Sequence, residues 1–98
     1  MNEYNKIIFF KNHIEMFLPD PTYDQVVAFL GGMSYFSKQN FLNNFDKWLC
    51  EKYQINSAFY WGKLIKEINV RFFSKEMDDS SLIDFLLNQV IEFLSDHN

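Results

Sequence analysis

Between Phe41 and Leu49 the apolar residues Phe41, Leu42, Phe45, Trp48 and Leu49 recur at three- and four-residue steps. On a helix this spacing merges into one wide apolar stripe. Shortly afterwards comes Tyr60-Trp61-Gly62-Lys63-Leu64-Ile65, so both tryptophans of the chain fall in these two segments. Large rings bury the most surface per residue, which sets the expectation that the core is anchored here.

The flanking sequence has the same period. Asn2 to Leu18 reads as a first helix, with Ile7, Phe10, Ile14 and Phe17 on one face, ended by Pro19-Asp20-Pro21. Proline removes a backbone donor and pushes the residue before it out of the helical region. Thr22 followed three residues later by Gln25 is a reciprocal capping pattern, and it predicts a short second helix that Gly31-Gly32 terminates. Met33 to Gln39 reads as a loop or a ragged helical turn, and the third helix is expected from Gln39 or Asn40 to Tyr53. Ser57 is placed to cap a fourth helix running from Ala58 to about Phe73, apolar on both flanks. Ser81 with Asp84 predicts the cap of a last helix, Leu82 to about Leu94, that is apolar round more than half its circumference. The expectation is an all-α fold: residues 1–98 as a single domain, a compact bundle of about five helices.

Aromatic residues make up 19% of the 98 residues, twelve of them Phe, which exceeds what so small a core comfortably hides. Some rings are therefore expected on the surface, where clustered exposure marks a contact site. The net charge of -4 is unevenly spread: -2 over residues 1–37, +4 over 38–75 and -6 over 76–98, where six acids meet no Lys or Arg. An acidic pole disfavours nucleic acid and anionic membranes and speeds encounter with a basic partner. No run of residues has the length and apolarity of a membrane span, and no signal peptide is evident. One cysteine, Cys50, has no partner for a disulfide. Together these features lead to the expectation of a cytoplasmic protein.

Reaction chemistry has no anchor in the sequence. His13 and His97 lack Cys, Asp or Glu at metal-ligand spacing, so no metal is expected. Gly31-Gly32 lacks the Lys-Ser or Lys-Thr of a phosphate loop, and Asp78-Asp79 reads as solvated charge rather than an acid/base couple. Lys63, Lys66, Arg71 and Lys75 near Phe59 and Tyr60 are the one basic and aromatic constellation, read as a mixed-charge solvated face because Glu67 lies among them. No catalytic residue and no cofactor are expected.

The pattern Phe41-Leu-x-x-Phe-x-x-Trp-Leu, Tyr53 and Trp61-x-x-Leu-Ile, preceded by Pro21-Thr22-Tyr23 and Val27-x-Phe29-Leu30-Gly31-Gly32, spans about residues 17 to 65. It resembles small α-helical bacterial immunity proteins of contact-dependent growth inhibition and related polymorphic toxin systems. The resemblance implies an antitoxin rather than an enzyme: an acidic domain that binds a toxin domain, often a basic nuclease, and occludes its active site or substrate groove. Contact residues are then expected among the acids Asp20, Asp24, Glu76, Asp78, Asp79 and Asp84, with Tyr23, Tyr35, Phe36 and Tyr60 as anchors. The alternative is a helical protein-protein interaction module unrelated to toxins: an adaptor, a phage-encoded inhibitor, or a homodimer through the last helix.

Overall fold

Phe45 is fully buried at the meeting point of three helices. Its ring centroid lies 5.2 Å from that of Phe93, 5.9 Å from Trp61 and 6.0 Å from Trp48. The computed structural model describes residues 2–73 and 77–96. They form six α-helical segments: α1 (Glu3–Asn12), the single turn α2 (Ile14–Phe17), α3 (Tyr23–Phe36), α4 (Phe45–Tyr53), α5 (Trp61–Ile68) and α6 (Asp79–Asp96). A π-helical turn, Asn69–Phe73, prolongs α5, and no strand occurs among the described residues. The fold is all-α, with a radius of gyration of 13.0 Å, the value of a compact unit of about this length. No described helix is long and apolar enough to cross a membrane.

α6 is the pillar of the bundle. It packs against α1, α3 and α4, and buries Leu82, Ile83, Leu86, Leu87, Val90, Phe93 and Leu94. The wide apolar circumference read from its sequence is thus covered from within the chain. Polar ties flank the same seams: Lys11 donates to Asn88 at 2.6 Å, Trp48 Nε1 to Asp96 at 3.1 Å, and Lys52 bridges to Gln89 and Glu92.

Several boundaries differ from the sequence expectation. The first helix breaks at His13, whose backbone (φ -130°) leaves the helical region, and whose ring stacks on Phe9 with centroids 4.3 Å apart. The break folds Phe17 back, so that its ring meets Phe10 at 5.5 Å and Phe29 at 5.8 Å. The Thr22–Gln25 capping box forms as expected, but α3 continues through Gly31 and Gly32 for another turn. Neither glycine has a positive φ, and Gly31 instead allows Tyr60 and Trp61 to approach the helix. α4 starts at Phe45 rather than near Asn40, because Asn40 (φ 43°) and Asn44 (φ 70°) are both left-handed. Phe41 and Leu42 still reach the core from this turn, which Ser34 fixes by donating to Asn40 Oδ1 at 2.7 Å and accepting from Leu42 N–H at 2.9 Å.

α5 begins at Trp61, three residues later than expected, since Ser57 caps only a local turn at Phe59 and leaves Tyr60 extended. Its buried face is Trp61, Gly62, Leu64, Ile65 and Ile68. α6 starts a turn earlier than expected, because Asp78, not Ser81, accepts the orphan backbone N–H, here that of Ser81 at 2.8 Å.

Removing the Phe45 ring leaves a cavity among three helices, and Phe45→Ala is expected to cost about 3–5 kcal/mol. A domain of this size has a total margin of only roughly 5–15 kcal/mol. Urea denaturation followed by circular dichroism will then give a midpoint lowered by roughly a fifth or more, while Lys47→Ala on the solvent side of the same helix leaves it unchanged.

Candidate functional interface

The described residues contain no group of three or more His, Cys, Asp or Glu side chains that could hold a metal. His13 is exposed with its Nδ1 3.0 Å from Phe9 O, and the half-buried Cys50 thiol meets Ser57 O at 3.7 Å. His97 lies outside the described residues. What the surface offers instead is aromatic side chains.

Tyr60 is the centre of the most developed cluster. It occupies the position just before α5, with its ring tilted against Trp61 at 4.8 Å. The ring lies over two glycines on different helices. A Cβ on Gly31 would come within 3.2 Å of the Tyr60 hydroxyl oxygen, and one on Gly62 within 3.1 Å of its ring. Tyr60 nevertheless remains 54% exposed. Partial burial lifts its hydroxyl above the ordinary tyrosine value. The result is a large ring fixed from beneath and presented to solvent.

A depression opens on either side of it. One, of about 280 Å³, runs from Tyr60 and Gly31 past Tyr35 to the Asn40–Asn44 turn and Asp46. The other, of about 400 Å³, lies between α3 and α5, with Tyr23, Val27 and Gly62 at its floor and Asp24, Lys63 and Lys66 at its rim. The floor is tightly closed. The Tyr23 hydroxyl donates to Gly62 O at 2.6 Å, and a Cβ on Gly62 would lie 2.8 Å from Val27 Cγ1.

Of the residues expected at a contact surface, the fold brings Asp24, Tyr35 and Tyr60 to this face. Tyr35 is 75% exposed and meets the still more exposed Phe36 edge-on at 5.2 Å. Tyr23 is corrected: it is only 2% exposed, a core residue and not a surface anchor, because its hydroxyl finds a backbone acceptor inside. Burial first, then the nearby Asp24 and Tyr60, hold that hydroxyl far above the usual tyrosine range. Asp20 is exposed in the link before α3 with a φ of 52°. Asp78, Asp79 and Asp84 belong to the start of α6 and line neither depression, with Asp78 engaged as a cap. Glu76 lies outside the described residues.

The basic constellation resolves into separate contacts. Lys66 pairs with Asp24 at 3.5 Å, Arg71 with Glu67 at 3.0 Å, and Lys63 sits 4.2 Å over the Phe59 ring, while Lys75 lies outside the described residues. Sequence reasoning missed the two glycine seats. The signal was present in Gly62, an isolated glycine inside a helical apolar pattern, which marks close approach of another element. A second exposed apolar group, Val70, Phe72 and Phe73, comes from the π turn. A third depression, of about 440 Å³, is lined by Trp48, Glu51, Lys52, Glu92 and Asp96.

Comparison with protein-family profiles, with curated proteins and with solved structures gives no match to this chain.

Gly32 and Gly62 give a paired test of the close approach at Gly62. Gly32 faces open space, so Gly32→Ala is expected to stabilise by about 1 kcal/mol through helix propensity alone. Gly62→Ala forces the stiff Val27 side chain aside and is expected to destabilise by about 1–2 kcal/mol despite the same propensity gain. Denaturant midpoints of the two variants moving in opposite directions check this arrangement.

Tyr23 also predicts a dependence on alkaline pH. Its folded pKa is raised from the ordinary 10.0, so its contribution is fully present below that value. As pH rises above it, the unfolded chain ionises while the folded one resists, and stability falls. Tyr23→Phe is expected to lower stability by about 1–2 kcal/mol at neutral pH and to flatten the decline that sets in above pH ~10. Denaturation midpoints from neutral to alkaline pH measure both effects.

Proposed function

We propose that this chain is a non-catalytic binding domain that docks a second protein on the face built around Tyr60, and that it acts as an immunity protein against a toxin domain. The observation that carries the reading is the Tyr60 ring, half exposed yet held over Gly31 and Gly62 and against Trp61. A ring that is already immobilised loses little entropy on binding, and tyrosines of this kind are typical energetic anchors of interfaces. Tyr35 and Phe36 extend the apolar area beside it. The net charge of -4 adds long-range attraction for a basic partner such as a nuclease domain, drawing it in before the aromatic face makes contact. Occlusion of the toxin's active site or substrate groove follows from the bulk of the bound domain and needs no chemistry from this chain.

A second reading, a self-associating or adaptor module with no toxin partner, draws on the separate Val70, Phe72 and Phe73 group. Static light scattering on the purified chain tests its self-associating form. A dimer that Val70→Ser with Phe72→Ser dissolves favours self-association, and a monomer removes it.

The deciding experiment is co-expression with the product of the neighbouring reading frame, scored for rescue of growth. Wild type is expected to rescue, and Tyr60→Ala to weaken binding by roughly 30-fold, the effect of losing a central aromatic anchor. Absence of rescue by the folded wild-type chain would remove the immunity reading.

A further inference from the structure

The depression between α3 and α5 differs in charge from the chain that carries it. Its floor is apolar, formed by the Tyr23 ring, Val27 and Gly62, with Tyr60 as one wall. Its rim carries two ammonium groups and one carboxylate, on a chain whose net charge is -4. Each ammonium lies against an aromatic ring, that of Lys66 against a ring of the floor and that of Lys63 against a ring outside the depression. Lys63 Nζ lies 4.2 Å over the Phe59 ring, and Lys66 Nζ lies 5.1 Å from that of Tyr23. The single ion pair at the rim, Lys66 with Asp24 at 3.5 Å, joins side chains that are 51% and 87% exposed, so water screens it and it holds Lys66 weakly.

We infer that this slot takes an apolar side chain of a partner protein that has a carboxylate next to it, the apolar group seating between Val27 and Tyr60 and the carboxylate reaching Lys63 and Lys66. The inference rests on the reading that the Tyr60 face binds protein, and it adds the chemistry of the bound segment. Apolar floor and basic rim together select the occupant. An apolar side chain alone leaves the lysines unused, and a basic segment meets two like charges at close range. Nucleic acid would put its phosphates beside Asp24, on a chain whose net charge is -4. The overall negative field acts at long range on the partner as a whole, whereas the rim acts only on the residue that lands beside it, so an acidic-apolar element on a basic partner satisfies both.

Asp24 gives the inference its sharpest sign. As a contact for a basic partner, Asp24 would lose affinity on conversion to Asn. As a competitor for Lys66, it restrains the incoming carboxylate, so Asp24→Asn strengthens binding.

The test uses the full chain, labelled with nitrogen-15, titrated at millimolar concentration with two capped hexapeptides. One is acetyl-Ser-Glu-Leu-Phe-Glu-Ser-amide and the other replaces both glutamates by lysine. The acidic peptide is expected to move the amide signals of Val27, Gly62 and Lys63, and to bind about fivefold tighter than the basic one. Asp24→Asn is expected to tighten the acidic peptide by a further two- to threefold, roughly the effect of one exposed charge pair. Lys63→Glu, a change at an exposed position, is expected to abolish the preference while the spectrum stays dispersed. Equal binding of the two peptides, preference for the basic one, shifts confined to other surfaces, no shift with either, or weakening by Asp24→Asn would each overturn the inference. The growth assay fails separately: Tyr60-dependent rescue without peptide preference removes the slot's chemistry alone, and peptide preference without rescue removes the immunity reading alone.

Discussion

Three helices meet on the Phe45 ring, and the presentation of Tyr60 depends on that meeting. Phe45 lies in α4, touches Trp61 at the start of α5, and touches Phe93 in α6. With Trp61 fixed by the core, the preceding residue has one direction in which to send its side chain, across Gly31 and Gly62. The α3–α5 crossing closes from the other side through the Tyr23 hydroxyl and Val27. An exposed ring is therefore positioned by residues that are buried, such as Trp61 and Gly62, or partly buried, such as Gly31 and Val27. In a domain of this size the core that stabilises the fold and the layer that shapes its surface are one residue apart.

The helical stripes were legible because they need only local spacing. Phe45 and Leu49 are buried on α4 as their period required, whereas Phe41 and Leu42 are buried from the turn before it, and Thr22 and Gln25 cap α3 as their identities required. The boundaries that could not be read depend on partners distant in sequence. Gly31-Gly32 has two physical uses, a helix stop or a place for another element to come close, and the choice depends on Tyr60 and Trp61. Asn40 and Asn44 carry no local mark that separates a left-handed turn from a helix start, and Ser34 makes the difference by holding Asn40 and Leu42 together. The break at His13 is likewise settled by Phe17 finding Phe10 and Phe29.

The site was half legible for a related reason. Excess aromatics predicted exposed rings, and Tyr35, Phe36 and Tyr60 are exposed. Tyr23 is of the same residue type but has a backbone acceptor, Gly62 O, within reach, so burial leaves no unpaired hydroxyl. The acids formed a pole along the sequence, yet position in sequence does not fix position on a surface. Asp24 stands beside Tyr60, while Asp78, Asp79 and Asp84 are carried away by α6, and one of them is occupied in starting that helix. Charge that is lopsided along the chain is redistributed by folding, which sets Lys63 and Lys66 beside Asp24 at one depression.

The contact between Tyr60 and Trp61 has an optical consequence. Their ring centres are 4.8 Å apart, with the indole buried and the phenol half in water. Light absorbed by the phenol passes readily to so near an indole, and the colour and yield of indole emission follow the polarity around it. A molecule settling on Tyr60 would change that polarity, so the chain carries its own fluorophore beneath the face proposed to bind. Trp48, half-buried with its Nε1 on Asp96, contributes a separate background signal from another part of the surface.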